Sequence, residues 1–123
     1  MGATILIVDD NAQLRVLMRE IVAEASKLHV VGEAADGAEA MRLIQELRPD
    51  IVLLDLVMPQ VSGLEVLQWI KTERPEIKVI IVTVHDEDAY RRAAEDGGAD
   101  AFLLKKTLVT ILLPTIQRLR GST

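Results

Sequence analysis

Five polar side chains stand directly behind short apolar runs in this sequence. Asp9 and Asp10 follow T-I-L-I-V (4–8), Asp55 follows I-V-L-L (51–54), Thr83 follows K-V-I-I-V (78–82) and Lys105 follows A-F-L-L (101–104). An acid at the tip of a buried run needs a reason, because desolvating a carboxylate is costly unless it is paired or bound to metal. For Asp55 the bland reason is a cap on the next turn. The other reason is chemical, provided the chain brings all five groups together. Carboxylates a few ångströms apart raise one another's pKa, and a divalent cation relieves the repulsion. Ligands that are few and all oxygen leave room for water and a phosphate oxygen, which suits Mg²⁺ better than Ca²⁺. With neither His nor Cys at these positions, zinc is disfavoured. Asp55 can also act as a nucleophile, taking a phosphoryl group as an aspartyl phosphate. Lys105 and the cation would neutralise the phosphoryl oxygens, and the Thr83 hydroxyl would donate to one of them. Singly, a strand-end Thr is a β-former and a strand-end Lys is solvated. As a set, one per strand end, they point to a site.

That set forms only if the elements deliver it to one edge. The runs at 51–54 and 4–8 read as strands of the buried type, those at 78–82 and 101–104 as further strands, and His29 to Glu33 as a shorter one that Gly32 weakens. Between them lie helical patterns. Asn11 can cap a helix with Leu14, Leu17, Met18, Ile21 and Val22 on one stripe. Asp36 and Glu39 form a capping box for a helix carrying Ala40, Met41, Ile44 and Leu47, which stops before Pro49. Ser62 or Gly63 opens a third, with Leu64, Val66, Leu67 and Ile70, ending near Pro75. Asp86, Glu87 and Asp88 place three acids in the first turn of a fourth, which Gly97-Gly98 ends. A final helix runs from about Thr107 to Arg120. Five alternations of strand and helix predict right-handed crossovers and a parallel sheet with helices on both faces. In such a sheet the carboxyl ends of the strands carry the site, at the switch point in strand order.

The bulk composition is compatible with this. The length of 123 residues fits one domain with a sizeable core, and neither a repeat nor a linker divides it. A formal charge of −5 argues against a nucleic-acid face in this chain. The absence of cysteine removes disulfide and thiolate chemistry and suits a reducing compartment. No signal peptide and no apolar run approaching about 20 residues is visible, so the expected location is the cytoplasm, with no membrane partner.

Over essentially its whole length the chain resembles the receiver domain of two-component response regulators. The resemblance rests on the acidic pair in I-L-I-V-D-D, on L-L-D-L-V-M-P with Asp55, on I-I-V-T with Thr83 and on G-A-D-A-F-L-L-K with Lys105. It implies a CheY-like fold: a flavodoxin-like, doubly wound (βα)5 sandwich with strand order 2-1-3-4-5, residues 1–123 forming a single receiver domain. It further implies that Asp55 is the phospho-acceptor. Asp10, Asp55 and the backbone carbonyl of Val57 would bind Mg²⁺ (or Mn²⁺) directly, and Asp9 through water. Lys105 would contact the phosphoryl group, Thr83 would move inward to bind it, and Phe102 would turn with Thr83 as an aromatic switch. Read by itself, Phe102 is also a plain core residue. The implied partners are a sensor histidine kinase or phosphotransfer protein, and a homodimer through the last two helices and fifth strand is possible within the family. The segment V-V-G-E-A-A-D-G-A-E-A (30–40) is similar to receivers that precede helix-turn-helix output domains. The implied activity is a signalling phospho-acceptor with self-phosphorylation and self-dephosphorylation only, not an enzyme. Two rivals are a receiver-like module that is never phosphorylated and an aspartyl-phosphate phosphohydrolase. The latter would carry a second acid two residues after Asp55, where Val57 stands.

Several residues depart from the pattern or carry more than one reading. Many members follow the lysine with a proline, often through a cis peptide. Lys106 stands there instead, and a non-proline cis bond costs about 2.5–4 kcal/mol, so a trans or strained bond is expected and the aim of Lys105 is open. Val57, Val84 and His85 border the path of hydrolytic water. Apolar Val57 gives that water no alignment, which predicts a long-lived phosphoryl group. Val84 restricts access or merely continues the strand, and His85 is a solvated loop residue sooner than a relay site. The helix at 86–96 buries little beyond Ala89, Ala93 and Ala94, which favours mobility. The last helix carries Leu108, Leu112, Ile116 and Leu119 in a stripe widened by Val109 and Leu113, with Pro114 bending it. Its excess apolar surface fits either a partner contact or its own sheet. Trp69 packs or sits half exposed, and Arg120 to Thr123 are a terminus or the start of a linker.

Overall fold

A computed structural model describes residues 2–120. Five strands alternate with five helices: β1 Ala3–Val8, α1 Ala12–Ala23, β2 Leu28–Ala34, α2 Gly37–Leu47, β3 Ile51–Leu54, α3 Gly63–Glu73, β4 Lys78–Thr83, α4 Asp88–Asp96, β5 Ala101–Leu104 and α5 Leu108–Arg120. Every strand pair is parallel and the order is β2-β1-β3-β4-β5. The expected (βα)5 sandwich and its strand order are therefore present. Residues Gly121 to Thr123, read above as terminus or linker, lie outside the described residues.

Alternation within each strand divides the core in two, because successive side chains point to opposite faces. Leu6, Val8, Val52, Leu54, Val79 and Ile81 pack with α2, α3 and α4, whereas Ile5, Ile7, Ile51, Leu53, Ile80 and Val82 pack with α1 and α5. β1, β3 and β4 are thus the buried central strands the continuous apolar runs predict. The strand order reverses between β1 and β3. Asp9 and Asp55 stand at that reversal.

Local chemistry fixes most boundaries. Asn11 accepts from the amides of Gln13 and Leu14, capping α1. Asp36 accepts from the Glu39 amide while Glu39 reaches back to the Ala35 amide, so the expected capping box forms. Ser62, not Gly63, caps α3. Arg48 ends α2 at φ 48°, because Pro49 bars the helical region to the residue before it. The fourth helix differs from the sequence expectation. It begins at Asp88, so only one of the three acids lies in its first turn. The Thr83 hydroxyl accepts from the His85 amide at 3.1 Å and turns the chain away from helix, which leaves Val84 to Glu87 as a loop. Within α4, Ala89 is exposed, Ala93 partly buried and only Ala94 buried, while Tyr90 packs on the core. The last helix is preceded by a 3₁₀ turn at Lys105–Thr107 and continues through Pro114 to Arg120. Leu108, Leu112, Thr115 and Ile116 are buried, while Val109 and Ile111 are exposed. Trp69 is partly buried against the α2–α4 side of the core.

Candidate functional site

Each of the five groups reaches the same edge by a local device. Asp9 is fully buried; its Oδ1 accepts from the Asn11 amide at 2.8 Å, so the residue that caps α1 also holds the acid. Asp10, the next residue, is exposed. Asp55 continues β3, its amide bonded to the Val8 carbonyl at 3.0 Å, and only 6% of its surface is accessible. Its Oδ1 receives a long contact from the Val57 amide at 3.4 Å. The loop behind it folds back so closely that a Cβ on Gly63 would lie 2.0 Å from the Asp55 carbonyl oxygen. Only glycine fits there, and the close approach seats α3 beneath the acid. Thr83 is fully buried at the end of β4. Lys105 leaves the sheet at the 3₁₀ turn and returns its ammonium to within 2.9 Å of Asp9 Oδ2 and 3.4 Å of Asp55 Oδ2. No described peptide bond is cis, so Lys105 reaches both acids across a trans bond to Lys106. Replacement of the usual proline has not turned the lysine away.

The electrostatics of this cluster are strained. Burial, then the charge on Asp9, push the Asp55 carboxyl above its ordinary pKa, with Lys105 and the Val57 amide opposing them. Burial alone would lower Lys105. Its bond to Asp9 and the charges of Asp55 and Asp9 outweigh burial and raise it. One cation is shared by two enclosed anions with a third beside them.

Oxygen atoms of Asp9, Asp10 and Asp55 all lie within 4.8 Å of one another. Asp9 Oδ2 is enclosed, and its charge is met by the Lys105 ammonium at 2.9 Å, which also faces Asp55 at 3.4 Å. Two enclosed carboxylates that share one ammonium leave negative charge uncompensated, which is costly away from water. A hard divalent cation fits this donor set: all oxygen, two acids buried and one open to solvent.

The family model for the response regulator receiver domain matches residues 5–117. The chain belongs to the response regulator receiver family. Such receivers are the phospho-accepting switches of two-component signalling, and this domain is one of them. The response regulator protein VraR of Staphylococcus aureus is 38% identical over 109 residues, 87% of this chain. That match takes in 51% of VraR, so the chain spans about half the length of the curated relatives it matches. Among solved structures, a LuxR-family DNA-binding response regulator from Staphylococcus aureus superposes with a TM-score of 0.89 at 34% identity, covering 94% of this chain and 97% of that one. A LuxR-family two-component response regulator from Aurantimonas sp. SI85-9A1 gives 0.91 at 32% identity, covering 97% and 85%. The response regulator domain of Thermotoga maritima CheB gives 0.91 at 28% identity over 100% and 99%.

The remaining residues of interest in this receiver lie on β5, on α4 and in the loops that follow β3 and β4. Phe102 is half-buried on β5, and the Arg91 guanidinium of α4 lies 4.4 Å from its ring centroid. Val57 and Val84 are 45% and 68% exposed, apolar groups standing open beside the site. The His85 ring stacks at 4.7 Å on Tyr90 and lies 3.8 Å from a Glu87 oxygen, a surface loop arrangement. The sequence reading missed Arg15. Its Nη1 donates to the Asp9 carbonyl oxygen at 2.6 Å and its Nε lies 3.3 Å from Glu33. The signal was present as Arg15 and Arg19 one helical turn apart on α1, but their partner Glu33 sits on β2.

Proposed function

We propose that Asp55 accepts the phosphoryl group in this receiver. The observation supporting it is the buried carboxylate, crowded by Asp9 and attended by one lysine at 3.4 Å. An Asp55 oxygen attacks phosphorus of a phosphohistidine or a small acyl phosphate. The O–P bond forms as the bond to the leaving group breaks, and the leaving group departs with the electron pair. With a histidine donor, the freed imidazole nitrogen takes up a proton from solvent. Asp9, Asp10, Asp55 and the Val57 backbone carbonyl would hold Mg²⁺ or Mn²⁺. When bound, that ion supplies positive charge to the phosphoryl oxygens. Lys105, released from sharing its charge between two acids, pairs with the phosphoryl group, and the Thr83 hydroxyl donates to it.

Drawing Thr83 toward the phosphate breaks its bond to the His85 amide and loosens the loop that leads into α4. Phe102 then turns, and the α4–β5–α5 face changes what it binds: a partner, an output domain or a second copy. The poor burial of α4 supports this choice of moving element. The donor is a sensor histidine kinase or phosphotransfer protein in the cytoplasm. The domain catalyses only its own phosphorylation and dephosphorylation. Residues 1–123 act as one unit.

Incubation with a small acyl phosphate and Mg²⁺, followed by intact mass measurement, tests the reading. Wild type should gain one base-labile phosphoryl group and Asp55→Asn none. A wild type that gains nothing from any donor would favour a module that is never phosphorylated. The same sample, followed in time, should keep its phosphoryl group well beyond seconds, because exposed, apolar Val57 cannot orient attacking water.

A further inference from the structure

Arg15 joins the acid loop to the sheet edge through a strand irregularity. In the pairing of β1 with β2, Ile5 lies opposite Val30 but Leu6 lies opposite Gly32, so Val31 is an extra residue. Had the register run on unbroken, with Val31 opposite Leu6, Glu33 would pair with Val8 and face α2. With Val31 bulged out, Glu33 pairs with Ile7 and faces α1, since one residue of slip moves every later side chain to the other face. There Glu33 meets both Arg15 and Arg19 of α1. The Arg15 guanidinium uses one nitrogen on Glu33 and another on the Asp9 carbonyl oxygen. Its side chain is 19% exposed, so this contact is largely shielded from water.

We infer that Arg15 is a positioning residue for the acid cluster: anchored by Glu33, it holds the Asp9 backbone so that the Asp9 and Asp10 carboxylates converge on Asp55. This rests on the cation-binding reading proposed above. A planar guanidinium meets two separate acceptors from different nitrogens held in a fixed fork, whereas an ammonium presents all its donors from one atom. Glu33 acts only through Arg15, and Arg19 remains to neutralise Glu33 when Arg15 is lost.

The test is calorimetric titration of Mg²⁺ into wild type and into Arg15→Lys, Glu33→Gln, the double variant and Arg19→Lys. Groups that orient metal ligands without touching the metal typically contribute 10–100-fold in affinity. Arg15→Lys should therefore weaken Mg²⁺ binding by at least about tenfold, and Arg19→Lys by less than twofold. The double variant should bind no more weakly than Arg15→Lys alone, a non-additivity that general destabilisation does not produce. In the metal-free domain, exchange of the Asn11 amide, which donates to Asp9, should quicken in Arg15→Lys and not in Arg19→Lys. An Arg15→Lys affinity within twofold of wild type, or losses that simply add, would overturn the role of Arg15 and leave the metal site standing. Failure of wild type itself to bind Mg²⁺ would overturn both.

Discussion

The two edges of the sheet both carry acids at strand ends, and they treat them in opposite ways. At the amino edge, Asp50 accepts from the Thr4 amide at 2.8 Å and from its hydroxyl at 3.2 Å. Asp100 accepts from the Val79 amide at 2.8 Å and pairs with Lys71 at 2.9 Å, while Lys71 also donates to the Ile77 carbonyl. Each of these carboxylates has its own protein donors and joins a loop to a strand start. At the carboxyl edge, Asp9, Asp10 and Asp55 crowd together, and the one lysine beside them is divided between Asp9 and Asp55. Acids at the first edge are staples. Those at the second are held short of satisfaction, which is what a site for a cation and a phosphoryl group requires.

Substitutions at the two edges should therefore move stability in opposite directions. Asp100→Ala strips the Val79 amide and the Lys71 ammonium of a partner and should cost about 2–4 kcal/mol, read from denaturant midpoints. Phosphoryl uptake by the folded fraction should survive it. Asp50→Ala removes a more exposed acceptor and should cost about 1 kcal/mol. Asp55→Asn should do the reverse. Because the folded domain raises the pKa of Asp55, ionising it destabilises the fold, a penalty absent at low pH and complete once pH exceeds the folded-state value. The variant should accordingly melt higher than metal-free wild type at pH 7, by roughly 2–5 °C. The gain should shrink as pH falls toward the ordinary aspartate range. A destabilised Asp55→Asn at pH 7 would place Asp55 among the staples.

How much of this was legible in the sequence follows the same division. Asp9, Asp55, Thr83 and Lys105 could be read because parallel strands must end at one edge, so position along the chain determined position in space. The amino-edge pairs could not: Asp50 meets Thr4 46 residues away, and Asp100 meets Lys71 29 residues away. Neither periodicity nor capping chemistry signals such partners. The bulge at Val31 was hidden because an extra residue leaves no compositional mark beyond Gly32. The start of α4 was misplaced because acids after a strand read as a helix N-terminus, whereas the Thr83 hydroxyl claims the His85 amide first. The aim of Lys105 was left open by Lys106, and the geometry answers it: the 3₁₀ turn presents the ammonium to both acids without a proline.

The central claim, that the carboxyl edge is incomplete without a cation, can be put to one melting experiment with Mg²⁺. A cation at about 100 times its Kd contributes about 2.7 kcal/mol to the state that binds it. That corresponds to a rise of roughly 5–12 °C in wild type, with Asp100→Ala gaining as much from its lower start and Asp55→Asn gaining little. A wild-type melting temperature indifferent to Mg²⁺, or an equal rise in Asp55→Asn, would contradict the account.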